Sequence, residues 1–343
     1  MGFKRLDLDD LVISTDSVSA TVWSNNVPSL TDFYTSSLQV ASNQGDFYYN
    51  VYQTESSDST AAIQFSIAYC DVEGSGSSFY NSLVTGSSPS RTNYGQYRTL
   101  ILGDENANFI FGNTTGSYFY ALNVERARYK EKLLQGTMTL HLKKGSNELV
   151  LTDDSQIQTS TTFTDAGRVY NIVSGSAGNV FTGVNENGWT SGSGAYGMFL
   201  PDVGLMLLSG PALDAVVGDG GLNLATVRGF DNNDNNPEKL FNAISASGAD
   251  GNGFLLNSEE TLASDFIFVR AKNSEFNYSE NPSFISGSTG AVLFDDFIDN
   301  PTTYITTVGL YNDNNELLAV AKLSRPLLKD FTKELLVRVK LDF

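Results

Sequence analysis

The chain has 343 residues, of which 41% are hydrophobic, 17% charged and 12% aromatic, and its formal net charge is −18. The low charge content and the many aromatic residues exclude intrinsic disorder and a coiled coil. We expect no nucleic-acid partner, because phosphate binding needs clustered cations and this chain is strongly acidic.

The N-terminal residues 1–10 predict no secretory signal. Lys4 and Arg5 are basic, but no uninterrupted apolar segment follows them. The chain also lacks the roughly 18 consecutive apolar residues that a membrane helix needs. We therefore expect synthesis in a cytoplasm and no membrane span.

Short strands with alternating apolar and polar residues dominate the pattern. They are predicted near residues 47–53, 62–70, 97–102, 108–112, 118–124, 138–142, 168–174, 196–200, 203–208, 265–271, 303–311, 316–323 and 334–343. Asn312–Asn315 predicts the four-residue loop of a hairpin, since Asn and Asp tolerate positive φ. In the last strand, Leu335, Val337, Val339, Leu341 and Phe343 should face a core.

Few helices are expected. The strongest helix signal begins at Asn236, as N-cap, and Pro237, at the first helical position, and Gly248 offers a C-cap. A second helix is predicted over 29–38 and a short helical turn over 212–217. The fold class is thus mainly β, a multi-stranded β-sandwich-like architecture with few short helices.

Composition shifts along the chain predict four segments. Residues 1–40 read as an N-terminal arm or docking segment, 41–210 as a β-rich domain, 211–264 as a loop-and-helix insertion and 265–343 as a C-terminal β module.

Residues that could carry chemistry are scarce. Cys70 is the only cysteine and His141 the only histidine, so neither a disulfide nor a cluster of Cys or His metal ligands can form within the chain. The alternation in 138–142 places His141 opposite the apolar face, so we expect it to face solvent, with a buried or functional placement as the alternative. The many carboxylates permit a glycosidase-like pair, but no motif isolates one.

Two loop motifs give only weak signals. Residues 192–197 match G-x-G-x-x-G but precede a predicted strand instead of a helix, so Tyr196 and the nearby Trp189 are interpreted as packing or contact residues. Residues 231–236 resemble a calcium loop in their oxygen-rich spacing, but they lack its glycine and its bidentate glutamate. They are interpreted as a solvated loop before a helix, with a weak cation site as the alternative. We expect no catalytic residues and no cofactor.

The basic residues are concentrated in two segments. Residues 125–144 and 322–343 together carry a net charge of +7, which leaves −25 on the rest of the chain. This separation predicts basic surfaces that dock on acidic surfaces of neighbouring subunits, the alternative being solvated faces of two strands. The predicted subunit-interface residues are Arg126, Arg128, Lys130, Lys132, Lys322, Arg325, Lys329 and Lys333.

Four segments carry a resemblance to a known family. They are Gly103-Asp-Glu-Asn-Ala-Asn-Phe-Ile-Phe-Gly112, Glu125-Arg-Ala-Arg-Tyr-Lys-Glu-Lys-Leu-Leu134, Tyr196-Gly-Met-Phe-Leu-Pro-Asp-Val-Gly-Leu205 and the closing stretch 307–343. Together they resemble a virion structural protein of contractile-tailed phages of the kind that infect marine cyanobacteria.

The resemblance implies a particle-associated protein, in the tail or baseplate, whose partners are other virion proteins and copies of itself. It implies no individual functional residues. A receptor- or glycan-binding tail appendage, or a decoration protein of the capsid or neck, stays open as the alternative, as do copy number and symmetry.

Overall fold

The computed structural model describes residues 4–35, 48–77, 88–181, 194–229, 235–279 and 281–342. The chain divides into two compact units. Unit 1 comprises Met1–Ser17 and Thr261–Phe343, and unit 2 comprises Val18–Glu260.

The secondary structure consists of many short strands and four α-helices in the described residues. The strands up to residue 153 are β1 Leu11–Thr21, β2 Ser29–Leu30, β3 Tyr34–Thr35, β4 Tyr48–Tyr52, β5 Ile63–Asp71, β6 Ile110–Phe111, β7 Thr114–Thr115, β8 Tyr118–Val124, β9 Lys132–Leu133, β10 Leu140–Lys144 and β11 Asn147–Asp153. The later strands are β12 Thr162–Thr164, β13 Gly167–Ser176, β14 Asn179–Val180, β15 Gly197–Leu200, β16 Leu205–Ser209, β17 Phe254–Leu255, β18 Asn257–Ala271, β19 Thr303–Tyr311, β20 Leu317–Lys329 and β21 Leu335–Asp342. The helices are α1 Pro89–Leu102, α2 Gly210–Asp214, α3 Asn236–Ala249 and α4 Asp295–Asp299.

The predicted fold class is confirmed: the protein is mainly β with few short helices, and its multiple antiparallel sheets are consistent with a β-sandwich-like architecture.

Unit 2 is built on one large antiparallel sheet with the strand order β10-β11-β13-β15-β16-β8-β5-β4-β3. Its central strands are buried on both faces. In β8, Tyr120 and Leu122 belong to one apolar cluster, while Phe119 and Ala121 belong to another, as the two-residue repeat of a strand requires. Helix α3 contributes to the first cluster and helix α1 to the second, so the two helices cover opposite faces of the sheet.

Most sequence-predicted elements of unit 2 are confirmed, and two are wrong. The helix at 236 is present as α3, and the short turn at 212–217 overlaps α2. The strand predicted over 97–102 is instead the second half of α1. The helix predicted over 29–38 is absent from its described part, because β2 pairs with β17 and β3 pairs with β4 there.

In unit 1, β18 lies between β1 and β21, and β19 pairs with β20 in a separate two-stranded sheet. The predicted hairpin is therefore confirmed, although β20 extends to Lys329. The alternation of the last strand is also confirmed: Val337 and Val339 are buried and Leu335 and Leu341 half-buried, while the residues between them are exposed. Phe343 lies outside the described residues.

Candidate functional site

The basic segment of unit 2 is engaged within the chain. Lys132 lies directly opposite Glu259 in the pairing of β9 with β18, with their charged atoms 3.1 Å apart, and Lys130 is 2.7 Å from Glu260. Such a cross-strand pair of opposite charges stabilises the sheet. Lys130 is still 77% exposed at its side chain, whereas that of Lys132 is 18% exposed.

The two arginines of this segment also have intrachain partners. The Arg126 guanidinium stacks 4.6 Å over the Tyr129 ring and donates to the carbonyl oxygens of Tyr129 and Lys130. Arg128 donates to the Ser24 hydroxyl. The structure therefore brings the four predicted cations into one segment of the unit 2 surface, and each of them already has a partner within the chain.

The basic residues of unit 1 divide into exposed and buried groups. Lys322 and Arg325 are exposed on β20, and Lys333 is exposed and lies 3.4 Å from Asp330. Lys329 has no exposed surface, and its ammonium donates to three oxygen atoms. The prediction that Lys329 is a surface interface residue is therefore wrong, because its charge is satisfied inside unit 1.

The ammonium of Lys329 ties the base of the β19–β20 hairpin to the turn after β18. Its acceptors are the Asn273 carbonyl at 2.9 Å, the Asn277 side-chain oxygen at 2.7 Å and the Asp330 carbonyl at 2.9 Å. Burial lowers the pKa of Lys329, since desolvation disfavours the charged form. On the other strand of the hairpin base, the Thr303 hydroxyl donates to the Phe276 carbonyl.

A polar network inside unit 2 was not found by sequence analysis. The buried Asp71 accepts hydrogen bonds from the Arg228 guanidinium at 2.7 Å, from the Tyr69 hydroxyl at 3.2 Å and from the Glu73 backbone at 2.8 Å. The Arg228 guanidinium also stacks 4.5 Å over the Tyr118 ring. Burial raises the pKa of Tyr69 well above its usual range, so this phenol stays protonated.

The same network continues through a second carboxylate. Asp214 accepts from the Tyr118 hydroxyl at 2.9 Å and from the backbone and hydroxyl of Thr226 at 2.8 and 2.9 Å. The Tyr120 and Thr226 hydroxyls are 2.7 Å apart. The network joins β5 and β8 to the segment after β16, and its residues are too far apart in sequence for any motif to reveal it.

A group of buried serines lies where α1 begins. The hydroxyls of Ser77, Ser88 and Ser90 are within 3.0 to 3.2 Å of one another. Ser88 and Ser90 also donate to the carbonyls of Gly74 and Ser75. These hydroxyls satisfy one another and nearby carbonyls, so the group stabilises the start of the helix.

The other chemistry-bearing residues singled out from the sequence are His141, Cys70 and Tyr196. His141 lies on the strand face opposite Leu140, half-buried, with its Nδ1 atom 2.9 Å from Glu148. Cys70 is fully buried. Tyr196 is buried and donates to the Gly220 carbonyl at 2.6 Å, and burial raises its pKa to about 12. Trp189 and most of the loop at 231–236 lie outside the described residues.

The exposed apolar surface is concentrated in unit 1. This unit spans less than a third of the chain but holds 17 of the 28 large apolar side chains that are exposed among the described residues. Among the described residues of unit 1, only Ala271, Val337 and Val339 are buried apolar residues, and both apolar clusters lie entirely in unit 2. Exposed apolar side chains mark an interaction surface where they adjoin one another.

The most exposed of these side chains include three on the hairpin. Tyr304 on β19 is 64% exposed, and Leu318 and Val320 on β20 are 68% and 57% exposed. The pairs Val308–Ala321 and Leu310–Ala319 lie on the face of the hairpin opposite Val320 and are half-buried. An isolated two-stranded hairpin is at best marginally stable in water. This hairpin is therefore the candidate interaction element.

Comparisons with known proteins do not assign this surface. No protein-family model matches the chain, and no curated protein or solved structure is matched to it. Within the described ranges, no group of three or more His, Cys, Asp or Glu side chains could hold a metal ion. No helix in the described part of the chain is long and apolar enough to cross a membrane.

Proposed function

We propose that the chain is a non-enzymatic structural subunit of a contractile-tailed phage particle, located in the tail or baseplate and assembled in the host cytoplasm. Its partners are other virion proteins and copies of itself. The observation that carries the proposal is the distribution of apolar residues in unit 1, whose described residues include three buried apolar side chains and 17 large exposed ones.

Assembly with a partner would supply the burial of apolar surface that unit 1 lacks. Each Å² of apolar surface that a partner covers stabilises the contact by about 25 cal/mol, before the entropy cost of association is subtracted. Permanent complexes have apolar interfaces that resemble a domain core cut in half. The surface of unit 1 fits that description better than the surface of a protein that works alone.

The phage assignment rests on the resemblance of four segments, of which the last, 307–343, lies in unit 1 and includes most of the hairpin. The non-enzymatic part of the proposal rests on the sequence, in which no local motif isolates a catalytic pair of carboxylates.

Mass spectrometry of purified particles tests the broad proposal. We expect the chain in every preparation at a constant ratio to the other virion proteins, and its absence from particles would contradict the proposal. Labelling in electron micrographs should place it on the tail or baseplate. Label at the distal periphery would favour the receptor- or glycan-binding alternative, and label on the head or neck would favour a decoration protein.

A matched pair of variants tests the role of unit 1. Leu318→Ser removes a side chain that is 68% exposed in unit 1, and Phe163→Ser removes one that is 69% exposed in unit 2. Both variants should stay folded, because surface substitutions rarely change stability by more than about 0.5 kcal/mol. We expect Leu318→Ser to lower incorporation into particles at least several-fold and Phe163→Ser to leave it unchanged. Equal incorporation would contradict the role of unit 1.

A further inference from the structure

The outer edge of the β19–β20 hairpin differs from the edges that proteins usually expose. In the part of the chain that the structure describes, β19 pairs only with β20, and the backbone of residues 303–310 makes no other hydrogen bond to the main chain. The nine residues of β19, Thr303–Tyr311, contain no charge and no proline. An uncharged edge without proline is a template for pairing with another strand.

The other strand of the hairpin has the usual protection. β20 carries Lys322, Arg325 and Pro326, whereas the two register shifts, between Ile305 and Thr307 and between Leu310 and Tyr311, lie in the ladder that both strands share. Charged residues and proline are two of the means by which edge strands avoid unwanted partners. The hairpin thus has one protected edge and one open edge, which indicates that β19 is the strand that receives a partner.

We propose that β19 pairs antiparallel with β19 of a second copy of this chain, so that two hairpins form one four-stranded sheet. This inference rests on the proposed function, since it names one of the contacts by which unit 1 assembles. An antiparallel pairing of two identical strands has two-fold symmetry, the commonest symmetry of protein oligomers. Full overlap of the nine residues places Thr307 opposite its own copy.

The composition of the edge favours a second copy over a different partner. In a two-fold contact, each group near the axis meets its own kind, so any charge there would repel itself. The chain as a whole carries 39 acidic and 21 basic residues, yet β19 carries none. A charged partner strand would find no opposite charge on this edge, whereas an identical strand would meet no electrostatic repulsion.

The hairpin itself exposes apolar side chains that such a contact could cover. They are Tyr304, Tyr311, Leu317, Leu318 and Val320, and a large aromatic side chain alone can bury about 150–250 Å². A stable dimer covers about 800 Å² on each partner. The pairing of β19 would fix the orientation of the two copies, and apolar side chains such as Tyr304 would supply the buried area.

A charge on the edge tests the proposal with the full chain. Thr307→Lys places two ammonium groups against each other at the axis, and Ser324→Lys places the same charge at an exposed position of β20. By sedimentation velocity, we expect the wild-type chain to dimerise, Thr307→Lys to raise the dissociation constant at least about tenfold, and Ser324→Lys to change it less than about twofold. A monomeric wild type at about 100 μM, or a Thr307→Lys variant that dimerises normally, would overturn the proposal.

Cysteine cross-linking gives a second measurement. The natural Cys70 is fully buried, so it does not compete. Under mild oxidation, Thr307→Cys should form a disulfide-linked dimer and Ser324→Cys should not, because the bond requires Cα atoms closer than about 7 Å. Equal cross-linking at both positions would contradict pairing through β19. A monomeric chain that is nevertheless present in purified particles would reject this inference and leave the proposed function standing.

Discussion

At the scale of single residues, the buried charge of Lys329 has the clearest structural role. A buried ammonium is costly unless it is hydrogen-bonded, and Lys329 donates to Asn273, Asn277 and Asp330. Lys329 lies among other basic residues near the C-terminus, and this position in the sequence did not indicate that the side chain is buried. The side chain joins two segments of unit 1 that are about 50 residues apart in sequence.

We expect Lys329→Met to loosen the base of the hairpin. The variant keeps the volume of the side chain but removes the donors, and each buried acceptor that loses its donor costs about 1–3 kcal/mol. Hydrogen exchange should become faster in the turn at 272–277 and in β20. Lys322→Met is the control, because Lys322 is exposed on the same strand. Unchanged protection in Lys329→Met would show that these hydrogen bonds contribute nothing.

Asp202 and Arg168 form the second informative contact, in unit 2. The guanidinium reaches both carboxylate oxygens, at 2.5 to 3.2 Å, and the Arg168 backbone donates to the same carboxylate at 2.8 Å. Partial burial by itself would raise the pKa of Asp202, but the hydrogen bonds from Arg168 outweigh it and lower the pKa below the ordinary 3.8. The folded state therefore stabilises the ionised form of Asp202.

This lowered pKa predicts how stability changes with pH. Because the folded-state pKa lies below the unfolded value, the contribution of Asp202 is complete above pH 3.8 and is lost as the pH falls through the folded-state pKa. Asp202→Asn should lower the free energy of unfolding by about 1.5–3 kcal/mol at neutral pH, and by progressively less in acid. Urea unfolding at several pH values measures this. Asp219→Asn, at an exposed carboxylate, is the control variant.

At the scale of secondary-structure elements, α1 shows why one prediction failed. Its buried residues include Ser90, Asn93, Tyr94 and Ile101, so the stripe that faces the sheet is partly polar. The hydroxyl of Tyr94 donates to the Gly116 carbonyl at 3.0 Å. A helix with this composition lacks the apolar stripe by which sequence analysis recognises helices, and the apolar residues at 97–102 then suggested a strand.

Substitutions in strand β21 test how much its buried side chains stabilise unit 1. Val337 and Val339 are buried and lie opposite Val269 and Ile267 of β18. Val337→Ala and Val339→Ala should each destabilise unit 1 by about 1–3 kcal/mol, and Leu336→Ala, at a side chain 58% exposed, should have almost no effect. Deletion of 335–343 should prevent soluble folding or assembly. A truncated chain that folds and enters particles normally would contradict this prediction.

At the scale of the whole molecule, charge and apolar surface are distributed differently. Unit 1 holds 10 basic and 15 acidic residues and unit 2 holds 11 and 24, so both carry about the same net charge per residue. The separation of basic and acidic segments along the chain therefore produces no difference in net charge per residue between the two units. In contrast, the buried apolar residues are almost all in unit 2 and most exposed ones are in unit 1. Apolar surface, more than charge, distinguishes the unit that we propose to assemble.

The docking of basic segments on neighbouring subunits stays a prediction, with a smaller set of exposed cations. Lys322, Arg325 and Lys333 are exposed in unit 1, and Lys130 is exposed in unit 2. An exposed ion pair contributes only about 0–1 kcal/mol, so these residues can orient a contact but cannot hold it without apolar burial.

The sequence alone determined the features that depend on neighbouring residues. The two-residue alternation predicted β21 and most strands of the large sheet, because each side chain's face follows from its position in the strand. The asparagine-rich turn predicted the hairpin, and Pro237 predicted the start of α3. These signals depend only on neighbouring residues, so they hold whatever fold the rest of the chain adopts.

Only the tertiary structure decided the features that depend on distant residues. It buried Lys329, paired Asp71 with Arg228 across 157 positions of sequence, and, among the described strands, paired β19 with β20 alone. It also divided the chain into a unit with a large core and a unit with almost none. Burial and pairing depend on which segments meet in space, and no local pattern of residues contains that information.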